Sequence, residues 1–163
     1  MRARSPGRRL RRRTGRGGHE RRGAVAPSRR VRRCHVRTGL SVREDWILDG
    51  RFSFAGGADA GAVLFAGGVR PTAVFCASDE MALGVMLAAR RAGLSVPGEV
   101  SVMGIDGHEY GEVVGLTTVA QDPVAQGRAA ARAVLAEVDG GVTEPLPASP
   151  AHLVERSTTA PPP

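Results

Sequence analysis

Ser78, Asp79 and Glu80 stand together within TAVFCASDEMALGVMLAARRAGL (residues 72–94), where a β-branched, apolar run gives way to a helical pattern. Hydroxyl and carboxylate groups at such a junction have two uses. They accept hydrogen bonds from the free N–H groups of the first helical turn, or they face a cleft and bind something there. Either Ser78 or Asp79 can cap; with two candidates one is left over, and the reading turns Ser78 outward. Asp106 closes another apolar run, either as a turn residue before Gly107 or as a carboxylate able to accept paired hydroxyl hydrogens. Phe52 is either core or an exposed ring. An aromatic face beside a carboxylate suits a pyranose, whose C–H groups stack while its hydroxyls hydrogen-bond. Gln121 ends a further run and adds an amide. His108 and Glu109 read as loop surface.

Catalytic patterns are missing. The glycines at 56, 57 and 61 do not make G-x-G-x-x-G, no G-x-S-x-G elbow occurs, and the chain has no lysine for a P-loop or a Schiff base. The body therefore reads as a binder rather than an enzyme, with no cofactor. Cys34 and Cys76 form no Cys-x-x-Cys pair, so neither a zinc site nor a disulfide framework is expected, and a reducing cytoplasm is the simplest setting.

The elements that must carry these residues alternate. Residues 45–50 (DWILDG) read as a short strand, 53–68 as a glycine-weakened helix and 71–76 as a strand. Residues 79–92 make the clearest helix, closed by Gly93 with Arg90 and Arg91 in its last turn. Strands follow at 100–105 and 116–122. Asp122–Pro123 then opens a helix to about residue 138, with Val124, Ala131, Val134, Leu135 and Val138 on its apolar face. A last strand is expected at 152–155, before a disordered tail over 158–163. This alternation predicts an α/β fold, a parallel sheet with helices on both faces. In such sheets ligands bind beyond the carboxyl ends of the strands, which is where Phe52, Ser78, Asp106 and Gln121 fall.

The helix at 79–92 is apolar nearly all round. Met81, Ala82, Val85, Ala89 and Ala92 form one face, and Leu83, Met86 and Leu87 a second. One side can take the sheet and the other a second subunit, so Met81, Leu83, Met86 and Leu87 are the expected homodimer contacts.

Charge divides the chain. Residues 1–40 hold 15 of the 23 basic residues, all arginine, against one acid, while the remainder carries 8 against 15. A basic, low-complexity and disordered arm over residues 1–37 is expected, followed by a body over 38–157. No stretch is long and apolar enough to span a membrane, and the arginine clusters lack the apolar segment that an export signal needs. The arm opens a second reading, a non-specific nucleic-acid binder acting through arginine–phosphate contacts.

RPTAVFCASDEMALGVMLAARRAGLSVPGEVSVMGIDG followed by LTTVAQDPVAQGRAAARAVL closely resembles the effector-binding domain of LacI/GalR-type transcription repressors, with DGRFSFAGG before it and LVERSTTAPP after it. The resemblance covers about residues 38–161. It implies one lobe of a two-lobed periplasmic-binding-protein fold, a dimer through the helix at 79–92, and a small effector, a sugar or sugar derivative, touched by Phe52, Ser78, Asp106 and Gln121. Gly107 stands where the family usually has a second Asp, and Arg51 replaces a usual acid. The resemblance further implies that DNA recognition belongs to a helix-turn-helix domain, and none precedes residue 38. The expectation is an N-terminally truncated or out-of-frame regulator. A sugar-transport binding protein of the same fold is the remaining alternative, disfavoured by the missing export signal.

Overall fold

The structure, a computed structural model, describes residues 43–141 and 148–162. The arginine-rich arm expected over 1–37 and Cys34 lie outside the described residues.

Four strands form one sheet in the order β1 (Ala73–Phe75), β2 (Ser101–Asp106), β3 (Thr117–Ala120), β4 (His152–Val154). The first three are parallel and β4 runs antiparallel to β3, pairing Thr118 with Val154 and Ala120 with His152. The helices are α1 (Phe54–Ala66), α2 (Asp79–Arg91), α3 (Glu109–Val113) and α4 (Pro123–Val138). The α/β class with a mainly parallel sheet is as the alternation predicts.

Helix α2 lies between the sheet and α1. Its buried Ala82, Val85, Ala88 and Ala89 join Val102 from β2, Cys76, Val100 and Leu116 from positions flanking the strands, and Leu64 and Phe65 from α1 in the core. The glycines that weaken α1 as a helix make this layer possible. A Cβ at Gly57 would lie 2.2 Å from the Met81 carbonyl oxygen, and one at Gly84 would lie 2.2 Å from that of Phe54. The two helices thus touch backbone to backbone. Gly93, at φ 75°, takes the left-handed position that ends α2, with Leu94 N–H donating to Ala89 O and Gly93 N–H to Arg90 O.

Several expectations change. Residues 45–50 are not a strand: Glu44–Trp46 is a single 3₁₀ turn, and the apolar run is spent on Trp46 and Leu48 packing against the core. Helix α3, five residues long, occupies a stretch read as loop. Helix α4 buries no residue, and Val124, Val134, Leu135 and Val138 on its apolar face are 60–77% exposed.

The expected disordered tail is ordered where it begins. Thr158 is buried, its hydroxyl donates to Val102 O at 2.7 Å and accepts from Thr117 N–H at 2.9 Å, and its carbonyl takes Val102 N–H at 2.8 Å. Ser101 Oγ and the Ala160 backbone exchange bonds of 3.1 Å. Composition suggested disorder for these residues, but they supply partners to backbone groups of β2 and β3 that burial would otherwise leave unmet.

Candidate functional site

The turn after β2 and the middle of β3 converge on one carboxylate at the start of α2. Asp79, fully buried, accepts from Gly107 N–H at 2.9 Å, from His108 N–H at 2.7 Å and from the Thr118 hydroxyl at 2.6 Å. Gly104 makes room for it, since a Cβ there would sit 2.1 Å from Asp79 Oδ1. The helix cap is the neighbouring Ser78, whose Oγ accepts from Met81 N–H at 3.2 Å. The expected division of labour is therefore reversed: Ser78 caps and is buried, and Asp79 ties the strand ends together. One signal was available in the sequence. A glycine inside VSVMGID marks a place where another group approaches the strand closely.

Asp106 and Gln121 are brought together on the outer side of this network. Gln121 Nε2 donates to Asp106 Oδ1 at 3.1 Å, and Gln121 N–H donates to Asp106 O at 3.1 Å. Both side chains are exposed. Burial, then the neighbouring Asp79 carboxylate, pushes Asp106 above the ordinary carboxylate range, partly offset by hydrogen bonds from the Asp79 backbone and from Gln121. Asp106 has φ 123°, an uncommon value for a non-glycine residue, and the following Gly107 has φ 79°. The backbone thus turns sharply where β2 ends, and Asp79 holds that turn.

Phe52 is 56% exposed, which favours the ring over the core reading. It follows Arg51 in a pair of left-handed residues, φ 53° and 45°, at a cost of about 1–3 kcal/mol each. The loop packs against the start of α2, for a Cβ at Gly50 would lie 2.4 Å from Met81 Cε. Phe52 thereby belongs to the same end of the lobe as Ser78.

The expected dimer contacts divide. Leu83, Met86 and Leu87 line an open apolar groove of about 670 Å³ with Phe54, Tyr110 and Val113. Met81 does not join them: it faces the residue 50 loop and packs against the core within the same chain. The far wall comes from α3, which the sequence reading missed. His108 starts it, Nδ1 accepting from Tyr110 N–H at 3.2 Å while the two rings lie 4.9 Å apart.

Burial, with Asp79 nearby, pushes the Cys76 thiol up to about 12, so it stays protonated and unreactive. Among the described residues no three His, Cys, Asp or Glu side chains are grouped to hold a metal ion, and no helix is long and apolar enough to cross a membrane.

A mainly parallel α/β lobe with polar groups gathered at the strand carboxyl ends is a ligand-binding architecture. The chain matches the model of the periplasmic binding protein-like domain over residues 6–159 and belongs to that family, here the effector-binding type of domain of LacI-family transcriptional regulators. That match begins well ahead of residue 38 and takes in most of the arginine-rich segment. The chain is 36% identical over 135 residues to the Escherichia coli K12 repressor CytR, covering 76% of this chain and 40% of the relative. Among solved structures it is similar to a LacI family regulator from Lactobacillus casei with bound sucrose, at 31% identity and TM-score 0.67, covering 80% of this chain and 50% of that one. It is also similar to a dimeric Lac repressor, at 33% identity and TM-score 0.63, covering 68% and 41%. The chain spans about half, or less, of the length of these relatives.

Proposed function

We propose that the rim formed by Phe52, Asp106 and Gln121, with the buried Ser78 behind it, binds a small polyhydroxylated effector, a sugar or sugar derivative, and that binding rather than catalysis is its task. The observation carrying this reading is the Asp106–Gln121 pair, 3.1 Å apart and open to solvent at the ends of adjacent strands. Gln121 and the Asp79 backbone both bond the Asp106 carboxylate, whose remaining lone pairs accept ligand hydroxyls, while the exposed ring of Phe52 offers an apolar face. Ser78, with one Oγ lone pair taken by Met81 N–H, keeps its hydroxyl proton and a second lone pair. Sucrose in the Lactobacillus casei relative supports the ligand class. Gly107 has no side chain to add a second acid, so the hydroxyl contacts rest on Asp106.

The apolar groove between α2 and α3 takes a second copy of the chain, through Leu83, Met86 and Leu87; the dimeric Lac repressor supports this reading. In the intact regulator, effector binding shifts a DNA-competent population, in the cytoplasm, with DNA contacted outside the lobe described here. Calorimetric titration with sucrose tests the proposal. Wild-type protein should bind, Gln121→Ala should weaken binding about tenfold, and equal affinity in the two would reject the site.

A further inference from the structure

We propose that Arg51, through its ion pair with Asp59, is a positioning residue that sets the ring of Phe52 before any ligand arrives. The inference rests on the reading of Phe52 as the effector's apolar platform. A bulky residue at positive φ is an outlier, and two in succession, φ 53° at Arg51 and 45° at Phe52, need an external cause. Burial of Phe52 is not that cause, because its side chain is 56% exposed and takes no part in the core. The strain therefore serves where the ring stands, not how the lobe packs.

Four contacts fasten the loop. Asp49 Oδ1 accepts from Arg51 N–H at 2.8 Å, and Gly50 O accepts from Ser53 N–H at 3.2 Å. Ser53 Oγ accepts from Gly56 N–H at 3.1 Å, which anchors the exit to α1. The Arg51 guanidinium reaches the Asp59 carboxylate one helical turn and more along α1, the one contact of the four that spans the whole loop. Gly50 and Gly56 lie so close that a Cβ on Gly56 would meet the Gly50 carbonyl oxygen at 2.0 Å, so the loop has no slack of its own. An arginine here is not facing the ligand as a free cation; its charge is engaged by Asp59. That accounts for a basic residue beside a site whose other charged members, Asp106 and the nearby Glu80, are acids.

The test uses the full chain labelled with 4-fluorophenylalanine, which gives four ¹⁹F resonances, that of Phe52 being identified by its loss in Phe52→Leu. In Arg51→Gly, whose residue 51 adopts positive φ freely, the Phe52 resonance should move and change width. The other three should stay in place and the melting temperature should not fall. Asp59→Asn should move the same resonance, and Asp59→Glu, which keeps the charge, should return it toward its wild-type position. Sucrose affinity should drop about tenfold in Arg51→Gly. An unmoved Phe52 resonance in both Arg51→Gly and Asp59→Asn would overturn the inference whether or not sucrose binds. Should Phe52→Ala leave sucrose affinity unchanged, the platform reading fails instead, and the ¹⁹F spectra still decide whether Arg51 positions the ring.

Discussion

The Thr118 hydroxyl donates to Asp79 Oδ1 at 2.6 Å across 39 residues of chain, inside a layer that neither side chain shares with solvent. Asp79 opens α2 and Thr118 lies in the middle of β3, so this bond fixes the helix against the sheet. With Gly107 and His108 on its other oxygen, Asp79 also fixes the turn that presents Asp106. The placement of Asp106 thus depends on a residue whose own side chain is fully buried.

Replacing Asp79 separates two costs. Asp79→Ala leaves two backbone N–H groups and one hydroxyl without their acceptor and should lower unfolding free energy by about 3 kcal/mol. Asp79→Asn keeps one oxygen for the two N–H groups and turns its amide to the Thr118 hydroxyl, which can accept, so about 1–2 kcal/mol should be lost. Chemical denaturation measures both. Equal losses would contradict the assignment of contacts.

The character of Asp106 predicts a pH dependence. Its folded-state value is raised, so its favourable contribution is complete below the ordinary carboxylate range and is lost as pH rises through the raised value. At neutral pH the ionised group therefore opposes folding. Asp106→Asn should melt higher than wild type at pH 7, with the gap closing near about pH 3. A gap of opposite sign at pH 7 would show that Asp106 gains more from its neighbours than it loses by burial.

Thr158 bridges Val102 and Thr117 through a single hydroxyl. Thr158→Val preserves shape and removes both bonds, leaving a buried carbonyl and a buried N–H unpaired. A loss of about 2 kcal/mol or more is expected in thermal or denaturant unfolding. A loss within about 0.5 kcal/mol, the range of ordinary surface changes, would show that the tail is not held as described.

Much of this was legible in the sequence because the signals are local. DEMALGVMLAARR followed by Gly93 carries its own periodicity, charge bias and stop, and Asp122–Pro123 announces α4 with Asp122 Oδ1 accepting from Ala125 N–H at 2.8 Å. What local signals cannot reach is partner choice over distance. Ser78 and Asp79 are both good caps, and only Gly107, His108 and Thr118, 28 to 39 residues further on, decide which one is spent elsewhere. Helix α3 has too few residues for a period to appear, and the apolar run at 45–50 resembles a strand because both a strand and a packed turn need buried side chains. Among the site residues, the Asp106–Gln121 contact follows from their adjacent strands, whereas the left-handed loop that exposes Phe52 has no counterpart in composition or periodicity.

The groove offers a test of association apart from the effector. Leu83→Arg places a charge where a second copy would pack, yet the groove is open, so the fold should lose no more than about 1 kcal/mol. Sedimentation should then show wild type at dimer mass and the mutant at monomer mass. An unchanged mass would move the interface elsewhere.

The most direct measurement of the central claim is an amide chemical-shift map recorded as sucrose is added at millimolar concentration. Saturable shifts are expected, confined to residues around Phe52, Ser78, Asp106 and Gln121 and abolished by Asp106→Ala. Shifts gathered at the opposite ends of the strands, or persisting unchanged in Asp106→Ala, would contradict that claim.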